Sequence, residues 1–245
     1  VTSLVRKQAK RKLGKKNESS STMSKSRFRI AIDGPGGAGK STISKIVAAR
    51  LGLEYVDTGA MYRAIGLKLT EEGVDPEDLD GVERVLGHTR IEFSDGRILL
   101  DGRDVSGSIR TPEVSKAASS FSRIPCVRKK LGDLQRIMSE TSDVVMDGRD
   151  IGTNVIKDAE LKIFLTADPM VRAQRRFREL QEKGKAAGVT LEMVYQDICQ
   201  RDYQDTHREL NPLSKAEDAV EVDTSHMTIP EVTDAIVRLA EERRK

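Results

Sequence analysis

The sequence is poor in several residue types, and each shortage excludes a class of protein. It has no tryptophan, only 4% aromatic residues, two cysteines and three histidines among 245 residues. Cys126 and Cys199 lie far apart without C-x-x-C spacing, which argues against a disulfide framework or a zinc site. No apolar run approaches the roughly 20 residues that span a bilayer, and the basic N-terminal residues are not followed by the apolar run typical of a secretory signal. We therefore expect a soluble, cytoplasmic protein with reduced thiols and no membrane partner.

Positive charge is concentrated at one end of the chain. Residues 1–27 contain nine lysines and arginines but one glutamate, a net charge of +8, whereas the whole chain carries +3. The remainder is therefore mildly acidic, and the overall charge does not indicate a basic groove for nucleic acid. Residues 17–26 are polar and have almost no apolar groups whose burial could offset the entropy of ordering. We expect residues 1–26 to form a disordered basic extension and residues 27–245 to form the folded domain.

Short apolar runs alternate with helical patterns along most of the chain. The first run, Phe28–Asp33, precedes a glycine-rich loop and a helical pattern from Ser41 to Leu51. Further apolar runs typical of buried strands are Leu53–Val56, Val144–Met146, Leu161–Leu165 and Ala219–Val222. This alternation predicts an α/β fold, with a parallel sheet flanked by helices and ligands bound at the carboxyl ends of the strands.

One segment departs from the alternation. Ile91–Phe93 and Ile98–Leu100 flank a turn at residues 94–97, a pattern typical of a small antiparallel sheet. We interpret about residues 85–120 as an insertion in the parallel domain.

The strongest motif lies between the first predicted strand and the first predicted helix. It matches G-x-x-x-x-G-K-[ST] in the context that a phosphate loop requires. Backbone N–H groups of such a loop, together with the helix N-terminus, bind the phosphates of a nucleoside triphosphate. Lys40 would reach the β- and γ-phosphates, and the Ser41 hydroxyl would bind Mg²⁺. The predicted phosphate-binding residues are Gly34, Pro35, Gly36, Gly37, Ala38, Gly39, Lys40 and Ser41.

Polar and charged side chains follow the other predicted strands at the same edge of the sheet. Thr58 and Arg63 come after the second apolar run, and Asp147 directly follows Val144–Met146. A carboxylate in that place would hold metal-bound water. Next come Arg149, whose fork suits a phosphate, and Asp150, which could orient that arginine or accept from the exocyclic amine of a base.

A third basic cluster occupies residues 168–208. Asp168 and Pro169 predict the start of a helix whose basic residues are Arg172, Arg175, Arg176 and Arg178. Residues 183–188, K-G-K-A-A-G, predict a hinge before a second helix. On that helix Arg201, Asp205 and Arg208 stand at i, i+4 and i+7 and would share one face. Such a face suits a lid over a transferring phosphate and a ribose hydroxyl, although a solvated helix can carry one too.

Together these motifs resemble the bacterial cytidylate kinase family, which are nucleoside-monophosphate kinases with a phosphate loop. The likeness covers about residues 28–240 and rests on a set of motifs in order. They are I-D-G-P at 32–35, D-T-G-A-M-Y-R at 57–63, D-V-S at 104–106, I-R-T at 109–111, D-G-R-D-I-G-T at 147–153 and R-D at 201–202. The resemblance implies Mg²⁺- and ATP-dependent phosphorylation of CMP and dCMP, a monophosphate-binding insertion and a mobile lid at about residues 168–208.

The resemblance also implies roles for single residues. The substrate phosphate would be bound by Arg63, Arg149, Arg201 and Arg208. Asp205 would bind the sugar, and cytosine would be read by Ser119, Arg128 and Asp150. Thr58 and Arg110 complete the expected CMP site, and Thr42 and Arg176 the expected ATP site. The expected catalytic residues are Lys40, Arg149, Arg201 and Arg208. A carboxylate such as Asp150 can accept from the N4 amine of cytosine but would repel the O4 of uracil.

Three other functions fit parts of the sequence. The chain could be another small-molecule kinase with this loop, such as a uridylate or shikimate kinase, which a panel of acceptors would reveal. It could be an ATPase stimulated by nucleic acid through the basic extension, which predicts steep salt dependence. It could also be a nucleotide sensor without transfer activity. We expect the kinase, as a monomer that does not bind nucleic acid.

Overall fold

The computed structural model describes residues 27–94 and 96–245. The predicted basic extension, residues 1–26, lies outside the described residues. The strands are β1 (Arg29–Asp33), β2 (Glu54–Asp57), β3 (Ile91–Ser94), β4 (Arg97–Leu100), β5 (Arg103–Asp104), β6 (Val144–Gly148), β7 (Leu161–Thr166) and β8 (Val220–Asp223). The helices are α1 (Lys40–Leu51), α2 (Thr58–Glu71), α3 (Leu79–His88), α4 (Pro112–Phe121), α5 (Pro125–Thr141), α6 (Pro169–Glu182), α7 (Leu191–His207) and α8 (Ile229–Arg243).

The larger sheet is parallel and has the strand order β2–β6–β1–β7–β8. The predicted α/β fold is therefore confirmed. Strand β1 is central, so the loop after it opens between the ends of β6 and β7. Asp33, the last residue of β1, pairs in register with Gly148 at the end of β6. Residues that follow β1 and β6 in the chain are thus neighbours in space.

Apolar residues of the central strand alternate between two cores. Ile30 and Ile32 pack on one face of the sheet in a cluster of buried residues that includes residues of α1 and α8. Ala31 faces the other side, in a cluster with residues of α2 and α5. Complete burial of one isoleucine side chain contributes about 1.5–3 kcal/mol, so β1 is held firmly from both faces.

Local sequence starts two of the helices at or near the ends of their strands. Asp57 caps α2 by accepting a hydrogen bond from the N–H of Ala60. Asp168 caps α6 in the same way, with Pro169 at the first helical position as predicted. Since these helices begin at the strand ends, they bring polar residues to the carboxyl edge of the sheet.

The smaller sheet confirms the predicted antiparallel segment. Its order is β3–β4–β5, and Phe93 pairs with Ile98. Ile91, Ile98 and Leu100 are buried in the same cluster as residues of α2. The boundaries of an insertion at about residues 85–120 stay a prediction.

One predicted feature of the last basic cluster was wrong. Helix α7 ends at His207, and Arg208 already has an extended backbone, with φ −64° and ψ 143°. Arg208 therefore does not share a helical face with Arg201. The chain instead folds back, so that the Leu213 N–H donates to the Asp205 carbonyl at 2.8 Å and the Arg208 guanidinium reaches the carbonyl of Asn211.

Among the helices described, none combines the length and the apolar character that crossing a bilayer requires.

Candidate active site

A cleft of about 780 Å³ opens at the carboxyl edge of the parallel sheet. Its acidic lining residues are Asp57, Asp147, Asp150, Glu179 and Asp205. Its basic lining residues are Lys40, Arg63, Arg110, Arg128, Arg149, Arg172, Arg175, Arg176, Arg201 and Arg208. The formal charge of the lining is therefore +5. A cleft with this excess of guanidinium groups is suited to ligands that carry several phosphates.

The glycine-rich loop after β1 forms one end of the cleft. Gly39 precedes α1 with a φ of 89°, a left-handed conformation that favours glycine. Gly34 also has a positive φ, and a Cβ there would lie 1.9 Å from the carbonyl oxygen of Leu165. Gly34 and Pro35 do not line the cleft, unlike residues 36–42. The first two predicted loop residues thus shape the loop by packing, while the next ones face the ligand space.

Lys40 is buried at the floor of this loop. Its Nζ donates to the carbonyl oxygen of Pro35 at 2.7 Å. Burial, and then the positive charge of Arg149, lower the pKa of Lys40 well below its ordinary value. An anion bound in the loop would counter both effects, because it would supply a negative partner for this ammonium group.

Oxygen atoms suited to a hard cation lie beside the loop. The Ser41 hydroxyl donates to one carboxylate oxygen of Asp147 at 2.7 Å, and the Tyr55 hydroxyl donates to the other at 3.0 Å. The described residues contain no cluster of three or more histidines, cysteines or carboxylates able to hold a metal by themselves. Mg²⁺ commonly takes one or two protein oxygens, several waters and the substrate phosphates, so this donor set fits Mg²⁺.

The other end of the cleft is built around the carboxylate of Asp150. It accepts from Arg128 at 2.5 Å and from Arg208 at 3.1 Å, and all three side chains are less than a tenth exposed. The Tyr62 ring lies 5.7 Å from the Arg128 guanidinium, and burial raises the pKa of Tyr62 to about 12. The Nε of Arg128 is buried without a hydrogen-bond partner among the residues described. An unpaired buried donor costs about 1–3 kcal/mol, which a ligand atom at this position would recover.

Residues of α7 form a further wall of the cleft. Arg149, which follows β6, donates through Nε to Asp205 on α7 at 2.8 Å. Burial by itself raises the pKa of Asp205, but the neighbouring guanidinium groups, led by Arg149, outweigh it and leave that pKa below its ordinary value. Asp205 is therefore an ionised acceptor at neutral pH.

A buried arginine joins the two helices of residues 168–208 to the phosphate loop. Arg172 on α6 donates to the Gly36 carbonyl at 3.0 Å and to both oxygens of Asp202 on α7, at 3.1 and 2.5 Å. The position of α7 is thus tied to the conformation of the loop.

Arg201 lines the cleft close to other cationic side chains. In the described parts of the chain it makes no ion pair within 4.0 Å, whereas Arg63 pairs with Asp57 at 3.3 Å. The nearest charges include Arg149 and Arg63, which lower the pKa of Arg201 after the larger effect of desolvation. The carboxylates of Asp205 and Asp202 act in the opposite direction, and an anion bound between the guanidinium groups would offset more of the repulsion.

Comparison with known proteins now identifies the family. A sequence model described as cytidylate kinase matches residues 30–242. The chain belongs to the cytidylate kinase family. A cytidylate kinase from Lactobacillus johnsonii is 47% identical over 222 residues, covering 89% of this chain and 96% of that protein. One from Thermosipho melanesiensis is 46% identical over 217 residues, covering 89% and 98%.

A solved structure similar to this cytidylate kinase family member is more distant in sequence than these relatives. A shikimate kinase from Bacteroides thetaiotaomicron is 14% identical, with a TM-score of 0.46, and the match covers 87% of this chain and 98% of that one. A likeness of this size carries no argument about the reaction.

Within this family member, the predicted site residues lie together apart from Gly34 and Pro35. Those expected at ATP that line the cleft are Gly36, Gly37, Ala38, Gly39, Lys40, Ser41, Thr42 and Arg176. Those expected at CMP that line it are Thr58, Arg63, Arg110, Ser119, Arg128, Arg149, Asp150, Arg201, Asp205 and Arg208. The Thr58 hydroxyl donates to the Asp147 carbonyl at 2.6 Å, so only its lone pairs are free for a ligand. Their individual roles stay predictions.

Several residues that line the cleft, and Tyr55 beside it, were not among the predicted site residues. Tyr55 holds Asp147, Arg172 holds the loop, and Gln135 lines the cleft, where its amide nitrogen meets the weak acceptor Sδ of Met61 at 3.8 Å. Met227 and Ile229 line the end of the cleft beyond the phosphate loop. The sequence did contain a signal for Met227 and Ile229, because both follow the carboxyl end of β8. Nothing in the sequence indicated the contacts of Tyr55 or Gln135.

Proposed function

We propose that this protein transfers the γ-phosphoryl group of ATP to CMP and dCMP, giving ADP and CDP or dCDP, in pyrimidine nucleotide metabolism. Membership of the cytidylate kinase family supports a nucleotide kinase. The observation that carries the choice of acceptor is the buried Asp150 carboxylate between Arg128 and Arg208, at the end of the cleft away from the phosphate loop. A carboxylate there accepts from an exocyclic amine and repels a carbonyl oxygen.

The donor is bound at the phosphate loop. Backbone N–H groups at the start of α1 and the Lys40 ammonium group bind its phosphates, whose negative charge favours the protonated form of Lys40. Ser41 would hold Mg²⁺, with Asp147 accepting from the water around it. Bound there, the metal would neutralise charge on the β- and γ-phosphates during transfer.

The acceptor needs no strong side-chain base. The second pKa of a phosphate monoester is about 6, so the attacking oxygen is largely anionic at neutral pH. The three histidines, His88, His207 and His226, are absent from the cleft lining. Charge neutralisation by Arg149, Arg201 and Arg208, with water excluded by the lid of residues 168–208, therefore accounts for the rate.

Turnover on a panel of acceptors tests this function. The protein, ATP and Mg²⁺ are assayed with CMP, dCMP, UMP, AMP and shikimate, and ADP formation is measured for each. We expect CMP and dCMP to be preferred over UMP by roughly tenfold to a hundredfold, since a mismatched buried polar group costs about 1–3 kcal/mol. A preference for UMP, AMP or shikimate would refute the proposal, and ADP formed equally without any acceptor would indicate an ATPase.

A further inference from the structure

Asp33 is a buried carboxylate next to the cleft that the mechanism above does not use. It ends β1 and directly precedes the phosphate loop, and it does not line the cleft. One of its oxygens accepts from the N–H of Ile151 at 2.8 Å, and the other accepts from the N–H of Gly152 at 2.7 Å. Both acceptors are thus occupied by the backbone of one short segment.

The segment held by Asp33 begins directly after Arg149 and Asp150. Residues 151–155 form a single turn of π-helix. Its approach to Asp33 is close, because a Cβ on Gly152 would lie 3.4 Å from the Asp33 carboxylate and 3.1 Å from Cδ of Lys162. The turn that carries the proposed phosphate-binding and base-reading side chains is therefore fastened to the residue before the phosphate loop.

The charge of Asp33 makes this arrangement costly. Burial, together with the nearby carboxylate of Asp150, raises its pKa to about 6, against the lowering effects of the two backbone N–H groups. Lys40 on α1 acts in the opposite direction. The ammonium group of Lys162 on β7 is turned away, toward the Lys157 carbonyl and Asp218. A buried charge beside another carboxylate lowers stability unless hydrogen bonds compensate for the lost hydration. The two backbone N–H groups are the donors that do so here.

We propose that Asp33 is a positioning residue that holds the Arg149–Asp150 turn in register with the phosphate loop. Through this turn it sets where the acceptor base and phosphate lie relative to the donor phosphates. The inference rests on the proposed function and deepens it. Asp33 itself touches neither substrate.

Asp33→Asn is the principal test, with Asp143→Asn as the matched control. The amide keeps the size of the carboxylate but turns an NH₂ group toward one of the two backbone N–H groups. Asp143 also fastens β1, because its carboxylate accepts from the Phe28 N–H at 3.0 Å, but it does so at the opposite end of the strand. We measure KM and kcat for ATP, CMP and UMP, together with the unfolding midpoint of each variant.

For Asp33→Asn we expect the ratio of kcat/KM for CMP to that for UMP to fall about tenfold, the equivalent of losing one hydrogen bond to a charged group. The KM for ATP should change less than the KM for CMP. Asp143→Asn should keep the CMP-to-UMP ratio. An unchanged ratio in Asp33→Asn, or an equal fall in both variants, would overturn the positioning role. If the unmodified protein did not phosphorylate CMP, the proposed function itself would fail.

A second measurement does not depend on how well Asp33→Asn folds. In the unmodified protein, the CMP-to-UMP ratio is followed from about pH 7.5 to about pH 5.5, a range that spans the raised pKa of Asp33. The phosphates of CMP and UMP titrate alike, so their ionisation cancels in the ratio. We expect the ratio to fall several-fold as Asp33 gains a proton and loses one of its acceptor sites. A ratio that stays constant over this range contradicts the proposal.

Discussion

Lys40 lies where its own charge is unfavourable in the absence of a ligand. Burial and Arg149 lower its pKa, and its Nζ donates a hydrogen bond to the Pro35 carbonyl. The phosphates of a bound triphosphate would give the Lys40 ammonium group a negatively charged partner.

We predict that Lys40→Ala lowers kcat by about two to three orders of magnitude, the usual effect of removing a group that stabilises transition-state charge. Lys45→Ala, at an exposed position of the same helix, serves as the control and should change kcat less than twofold. Near-normal turnover in Lys40→Ala, measured by ADP release at saturating substrates, would reject its proposed role.

In the proposed function, Asp150 is the residue that selects the base. Replacement by asparagine removes a negative acceptor from Arg128 and Arg208 and allows an NH₂ group to face the base.

We predict that Asp150→Asn lowers the preference for CMP over UMP by about tenfold or more. Asp205→Asn provides the contrast, because a residue that binds the sugar should lower kcat/KM for both acceptors alike. Competition assays with both nucleotides give the ratio directly, and unchanged selectivity in Asp150→Asn would count against its base-reading role.

At the scale of elements, the ion pair between Arg172 and Asp202 joins α6, α7 and the phosphate loop. The Arg172 side chain is 3% exposed. Removing one partner of such a buried pair leaves a charge that water cannot reach.

We predict that Asp202→Asn lowers the free energy of unfolding by about 1–3 kcal/mol, since the amide still accepts one hydrogen bond. It should also raise KM for both substrates, because α7 is no longer fastened. The control is Asp234→Asn, which breaks the exposed pair between Arg50 on α1 and Asp234 on α8 and should cost at most about 1 kcal/mol. Denaturant titration of both variants measures the difference, and equal losses would show that the buried pair has no special role.

At the scale of the whole molecule, the charge of the chain and the charge of the cleft have different origins. The cleft lining has a formal charge of +5, contributed by residues from many parts of the fold. The net charge of +3 for the whole chain depends on the basic N-terminal segment. The family match begins at residue 30, after that segment.

We predict that removing residues 1–26, which turns the net charge from +3 to −4, changes kcat/KM for CMP less than about twofold. Both apolar cores and the whole cleft lie in the residues that remain. The measurement compares the full and shortened chains with and without RNA. Loss of an RNA-stimulated ATP hydrolysis upon shortening would favour the alternative of a nucleic-acid-dependent ATPase.

Local patterns in the sequence were sufficient for much of the fold. The alternation of apolar runs and helical patterns predicted the parallel sheet, and the turn at residues 94–97 predicted the small antiparallel sheet. The phosphate loop was predictable because its function depends on consecutive residues. Arg149 and Asp150 were predictable because they follow a strand, and all parallel strands end at one edge. The metal, the monomeric state and the cytoplasmic location stay predictions.

Contacts between distant segments were decided only by the tertiary structure. The strand order, which puts Asp33 beside the turn at Ile151, results from packing of whole layers and leaves no mark in a local pattern. The spacing predicted that Arg208 lies on the same helix as Arg201. In the structure Arg208 lies past the end of α7, where its guanidinium reaches Asp150. The sequence by itself therefore determined which chemical groups this protein has and along which edge they lie. Their pairing, burial and charge balance were set by the fold, because these depend on groups brought together from separate parts of the chain.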